Sequence, residues 1–234
     1  MSEAATVSTD EWKKAAAREA AQLVEDGMVV GLGTGSTAAF LVSVLGERVR
    51  QGLNIVGIPT SERTRLQALE EGIPLATFAD HQEIDLTIDG ADEIVRGTLD
   101  LIKGAGGALL REKIVACASK RMVVISDSSK LVDRLGSVFA VPVEIVPFGW
   151  EATASRLRDL ARDLRLRLGS DGAPYVTDGG HYIVDCHFGP IGDPKSLERD
   201  LTTTVGVVET GLFIGIASEA LVADAGGVHR LKRT

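Results

Sequence analysis

Residues 86–95 read LTIDGADEIV: an apolar, β-branched run stops at Asp89, passes Gly90 and Ala91, and meets two more carboxylates, Asp92 and Glu93. Like charges clustered at the mouth of a buried strand repel one another and resist dehydration, so the cluster points to chemistry. Open α/β sheets bind ligands at such strand ends. Asp89 and Asp92, three residues apart, can face one cavity if the turn is tight, where they suit proton transfer or hydrogen bonding to a polyol. A divalent metal between them would lack a supporting His, and EF-hand order is absent. The plainer alternative is that one acid caps the turn and the others are solvated.

Two more segments could meet this one. GLGTGSTAAF at 31–40 lies between a strand and a helix, where glycines admit a ligand to the backbone and the helix start offers free N–H groups. Thr34, Gly35, Ser36 and Thr37 there suit a phosphate. Gly33-Thr34-Gly35-Ser36-Thr37-Ala38 also satisfies a loose dinucleotide fingerprint, which wants an acid at the end of the second strand as well. That strand ends Ile58-Pro59-Thr60-Ser61 with only Glu62 nearby, so the nicotinamide reading is incomplete. KGAGGALLREK at 103–113 sets Lys103 at a strand end, followed by Gly104, Gly106 and Gly107 as an anion-binding nest. Glu112 lies in the opening turns of the next helix, where the helix dipole alone would favour a carboxylate. Its neighbours Arg111 and Lys113 read as solvated surface charges.

The elements that position these segments alternate. A helix capped by Asp10 and ending near Gly27 precedes a strand at MVVGLG and a helix to about residue 50. A strand at NIVGIPT, a helix from Ser61 to Gly72 and strands at IDLTID and LDLIK follow, then a helix at GGALLREKIVACAS and a strand at RMVVISD. This predicts an α/β fold: a doubly wound, mostly parallel, Rossmann-like sheet over residues 1–136 and 207–234. Between 137 and 206 the order is strand, helix, three strands (LRLRLG, PYVTDGG, HYIVDCHF) and helix. That predicts a smaller α+β, ferredoxin-like domain near the C-terminal end.

Composition narrows the partners. In 234 residues, 44% are apolar and 25% charged, the profile of an ordinary soluble globular chain. Net charge is −8 and the basic residues cluster only in HRLKRT, so no nucleic-acid partner is expected. No apolar stretch is long enough for a membrane span and the start lacks an apolar leader, so no membrane is expected either. Cys117 and Cys186 read as buried thiols of a reducing, cytoplasmic protein, and the four histidines show no metal-ligand spacing.

Taken together, TGST at 34–37, DGADE at 89–93, KGAGGALLREK at 103–113 and DSSK at 127–130 resemble the A type of ribose-5-phosphate isomerase, in order and over about residues 10–225. The resemblance implies an aldose–ketose isomerase of pentose phosphate metabolism, without metal or organic cofactor, acting on a small-molecule sugar phosphate as a homodimer. It makes Glu112 the base, Lys103 and the glycine-run amides the oxyanion donors, and Asp89 and Asp92 the partners of the sugar hydroxyls. Gly90, Ala91, Gly104, Ala105 and Gly106 would line the sugar, with Lys13 and Lys130 adding positive charge. The family usually has Gly where Ala105 stands, and a methyl group there predicts a modest shift of the nest. Sugar-phosphate sensors, which share the fold by resemblance, would need the phosphate cradle but not Glu112.

Overall fold

The computed structural model describes residues 3–234; residues 1 and 2, at the head of the 1–136 segment, lie outside the described residues. Helix α1 (Glu3–Ala21) leads to β1 (Val29–Leu32), α2 (Ser36–Arg50), β2 (Val56–Pro59) and α3 (Glu62–Glu70). Next come β3 (Leu86–Asp89), β4 (Glu93–Val95), β5 (Leu101–Ile102), α4 (Leu109–Cys117), β6 (Met122–Asp127) and β7 (Leu131–Val132). The chain continues through β8 (Val141–Ile145), α5 (Trp150–Leu157), β9 (Asp163–Leu166), β10 (Tyr182–His187) and α6 (Pro194–Thr202). It closes with β11 (Val207–Thr210), β12 (Leu212–Phe213), β13 (Glu219–Asp224) and β14 (Gly227–Lys232).

Among the described residues, the main sheet has the order β14-β13-β6-β3-β1-β2, parallel except where β14 returns along β13. Its inner strands are short β-branched runs buried on both faces, as a covered parallel sheet requires. Alternation along β6 divides the core: Val123 and Ile125 pack with Ala16, Ala20, Leu41 and Leu45 of α1 and α2, whereas Met122 and Val124 face Ile94, Leu101 and Phe213. Because β1, β3 and β6 run parallel, their carboxyl ends open on one side, where the TGST, DGADE and DSSK segments begin; KGAGGALLREK reaches that side from β5 of a third sheet.

A separate antiparallel sheet, β11-β8-β10-β9, packs Val141, Val143, Ile145, Val184 and Cys186 against Leu157 of α5 and Leu201 of α6. It takes in Val207–Thr210, just beyond the 137–206 segment. A third sheet, β12-β5-β4-β7, joins the two.

Several local expectations need correcting. LDLIK does not extend the main sheet; it supplies two-residue β5, paired antiparallel with β4 and β12. PYVTDGG forms no strand, only a bridge between Leu168 and Pro174. Helix α1 begins at Glu3, so Asp10 is no cap; it pairs with Lys13 one turn on, at 3.2 Å. Cys117, at the last turn of α4, is exposed, and only Cys186 is buried.

Candidate active site

The turn from β1 into α2 is built for close approach. A Cβ on Gly33 would lie 2.2 Å from Asp89 Oδ1, so only glycine lets β1 end against that carboxylate. Gly35, at φ +117°, precedes α2, whose start carries no side-chain cap. The first-turn amides therefore have no acceptor within the helix, and the helix dipole adds partial positive charge. Both polar groups of Thr34 are spent inside the protein. Its N–H donates to Asp89 Oδ1 at 2.9 Å, and its hydroxyl lies 2.7–3.1 Å from those of Thr60, Ser61 and Thr64. Thr34 thus braces the loop. Thr34, Gly35, Ser36 and Thr37 all line a cavity of about 210 Å³.

The three carboxylates of the DGADE turn part company. Asp89, the last residue of β3, is fully buried and does not line the cavity. Its Oδ1 accepts from the Thr34 and Gly90 amides at 2.9 and 2.7 Å, and its Oδ2 lies 3.1 Å from Lys103 Nζ. Asp92 lines the cavity beside Gly90 and Ala91, and its Oδ2 accepts from Ala105 N–H at 2.9 Å. Glu93 turns the other way. Its carboxylate accepts three amides, from Gly136, Val138 and Phe139, at 2.6–2.7 Å, and pins that loop over β4.

Lys103 leaves β5 into the same cavity and is almost entirely buried. Its ammonium donates to Gly90 O at 2.6 Å, lies 3.4 Å from Glu112 Oε1 and sits 5.6 Å from the Phe213 ring centre. In the run that follows, the left-handed positions are Gly104 (φ +111°) and Gly107 (φ +78°). Ala105 has no positive φ, so its methyl group costs no backbone strain; it is exposed and outside the cavity that Gly104 and Gly106 line. Glu112, in the first turn of α4, faces the cavity with Oε2 buried and without a hydrogen-bond partner.

Electrostatics follow from two buried carboxylates sharing one ammonium. Burial pushes Glu112 up to about 8, with Lys103 opposing and the negative charges of Asp89 and Asp92 reinforcing the rise. Burial also raises Asp89, against the pull of Lys103 and the Thr34 and Gly90 amides. For Lys103 burial acts downward, but Asp89, Glu112 and Asp92 outweigh it and hold the ammonium protonated. The group is a carboxyl that can take or give a proton near neutrality, beside a fixed cation.

Lys13 of α1 and Lys130 of the tight turn 128–130 also line the cavity; Lys130 Nζ lies 4.5 Å from the Phe139 ring centre. Sequence reasoning missed Thr9, Asp127 and Ser129, which line it too. Asp127 and Ser129 stand in the DSSK motif that pointed to Lys130: the buried Asp127 carboxylate accepts the Ser129 amide at 3.0 Å and its hydroxyl, shaping the turn. Thr9, on a helix face, carried no signal. Lys113 needs correcting: it is buried, not solvated, paired with Glu209 at 2.7 Å and Glu198 at 3.3 Å, and its Nζ lies 5.1 Å from the Phe213 ring centre. Arg111 stays at the surface and clasps Glu62 and Asp178.

Among the described residues no group of three or more His, Cys, Asp or Glu is arranged to hold a metal ion. Nor is any described helix long and apolar enough to cross a membrane.

Comparisons with known proteins find similarity to one family. The family model for ribose 5-phosphate isomerase A (phosphoriboisomerase A) matches residues 56–227. Ribose-5-phosphate isomerase A of Gloeobacter violaceus is 61% identical over 219 residues, covering 94% of this chain and 95% of its own. That of Gluconobacter oxydans is 58% identical over 218 residues, 93% and 94% of the two chains. Among solved structures, a D-ribose-5-phosphate isomerase in complex with phospho-erythronic acid is 42% identical, with TM-score 0.93 over 96% of this chain and 99% of that one. Ribose 5-phosphate isomerase A of Methanocaldococcus jannaschii gives 41% and 0.92, over 95% and 99%.

Proposed function

The chain belongs to the ribose-5-phosphate isomerase A family, and from that premise we propose how its own residues interconvert ribose 5-phosphate and ribulose 5-phosphate. The phosphate sits at the start of α2, on the amides and hydroxyls of Ser36 and Thr37, with Lys13 and Lys130 supplying charge. The sugar then extends past Gly90, Ala91 and Asp92 toward Lys103 and Glu112.

Glu112 removes the proton from C2 of the open-chain aldose and returns it to C1, while the hydroxyl proton of O2 passes to O1. No atom is gained or lost. The intermediate enediolate concentrates negative charge on oxygen, and Lys103 with the glycine-run amides stabilises it, an effect typically worth a few kcal/mol. Asp92, which lines the cavity, serves the sugar hydroxyls and ring opening. Asp89, closed inside the protein, acts through Lys103 by fixing its ammonium. The observation that carries this reading is Glu112 Oε2: a buried, unpartnered carboxylate oxygen on the wall of a polar cavity.

A coupled assay for ribulose 5-phosphate formation, run with EDTA present, tests it. The wild-type chain turns over, and Glu112→Gln binds the sugar phosphate while losing isomerisation. Undiminished turnover in that variant would remove Glu112 from the role.

The active form is a homodimer in the cytoplasm. Supporting this, Phe148, Val205 and Val138 expose large apolar surface on or beside the small sheet, and the free thiol of Cys117 is exposed, which suits a reducing compartment. Light scattering on the purified chain reads twice the chain mass; a monomer at assay concentration contradicts it.

A further inference from the structure

The small antiparallel sheet reaches the site through one side chain. Arg167, just after β9, anchors its backbone N–H on Ile183 O at 2.8 Å, and its guanidinium is largely buried. Nε donates to Asp185 Oδ2 at 3.0 Å and Nη2 to Asp185 Oδ1. The remaining nitrogen, Nη1, donates to Gly104 O at 2.7 Å and more weakly to Ala105 O at 3.4 Å. A carboxylate thus orients one edge of the planar fork, and the other edge grips two successive carbonyls of the glycine run.

The consequence follows from peptide geometry. In a trans peptide the N–H points opposite to the C=O. With Gly104 O held by Arg167, the Ala105 N–H is aimed the other way, and it meets Asp92 Oδ2 at 2.9 Å. With Ala105 O turned toward Arg167, the Gly106 N–H is likewise turned from it, and Gly106 lines the cavity with Lys103 and Glu112. The run has little else to hold it. Its one internal tie is Gly107 N–H to Gly104 O at 3.0 Å, and glycines at both ends leave the intervening peptides free to rotate.

We propose that Arg167, oriented by Asp185, is a positioning residue for the isomerisation: by drawing the Gly104 and Ala105 carbonyls outward, it aims the Ala105 and Gly106 amides at Asp92 and at the enediolate oxygen. This rests on the reading of Lys103 and the glycine run as the oxyanion side of the site. Arg167 does not line the cavity, and Asp185 neutralises its charge, so its effect is on aim rather than on the field.

The test compares wild type with Arg167→Met, Arg167→Lys, Asp185→Asn and Glu112→Gln in steady-state kinetics, with melting temperatures alongside. Arg167→Met lowers kcat by ~10- to 100-fold, as loss of alignment alone can do, and leaves KM within ~3-fold. Binding of phospho-erythronic acid, whose carboxylate mimics the enediolate, weakens in proportion, whereas inorganic phosphate binds as before. Arg167→Lys, which can still donate to a carbonyl, recovers part of the loss, and Asp185→Asn falls between. If Arg167→Met fails to fold, the other two variants carry the same comparison. Wild-type kcat in the folded variants, or losses that follow melting temperature with no rescue by lysine, would overturn the inference. An active Glu112→Gln would instead strike the reading of the site; an inactive one beside a fully active Arg167→Met strikes only the role of Arg167.

Discussion

Two regions of the molecule bury a glutamate almost completely and use it in opposite ways. At the start of β4, Glu93 accepts three backbone amides at 2.6–2.7 Å and holds the 136–139 loop. At the start of α4, Glu112 has one ammonium 3.4 Å away and an oxygen with no partner at all. The first carboxylate is saturated with donors and therefore structural. The second is left short of them, so its protonated form competes near neutral pH. Burial alone does not bring a carboxyl toward neutral titration; burial short of donors, on the wall of a cavity, is what allows it.

Exchanging each carboxylate for an amide should separate the two regions. The largest effect is expected at Glu112→Gln, where kcat falls by ~10³- to 10⁴-fold, the scale of losing a general base. Its folding should not suffer. A carboxyl raised from 4.5 to about 8 binds more protons folded than unfolded in that interval, so wild-type stability falls as pH rises through it. The glutamine variant escapes this and melts higher than wild type above about pH 8, by up to a few kcal/mol of stability. Glu93→Gln should do the reverse: an NH₂ facing backbone donors costs about 2–4 kcal/mol of stability, while kcat of the folded enzyme stays near wild type. Thermal and urea unfolding across pH, with the coupled assay, read both. A Glu93 variant that folds normally but is inactive would erase the contrast.

Much of the site was legible because its signals are local. A β-branched run, a glycine turn and a helix start place TGST, DGADE and the Lys103 run at strand ends without knowledge of the rest of the chain. What escaped depended on distant partners. Lys113 read as solvated because its acids, Glu198 and Glu209, lie more than 80 residues on. The third sheet escaped for the same reason: strands of two or three residues carry almost no periodicity, and β12 joins β5 across more than 100 residues. Glu93 and Asp89 differ by four positions, yet only the fold shows that one meets Lys103 and the other a loop beyond residue 135. The departure at Ala105 resolves similarly, since the positions that need glycine are its neighbours Gly104 and Gly107.

Whether burial beside Lys103 poises Glu112 as the base can be read from kcat/KM for ribose 5-phosphate across about pH 6 to 9.5, with EDTA present. The expected profile rises about tenfold per pH unit on the acid side and levels near 8 as Glu112 ionises in the free enzyme. A profile already flat by pH 6, with its limb in the ordinary glutamate range, would contradict it.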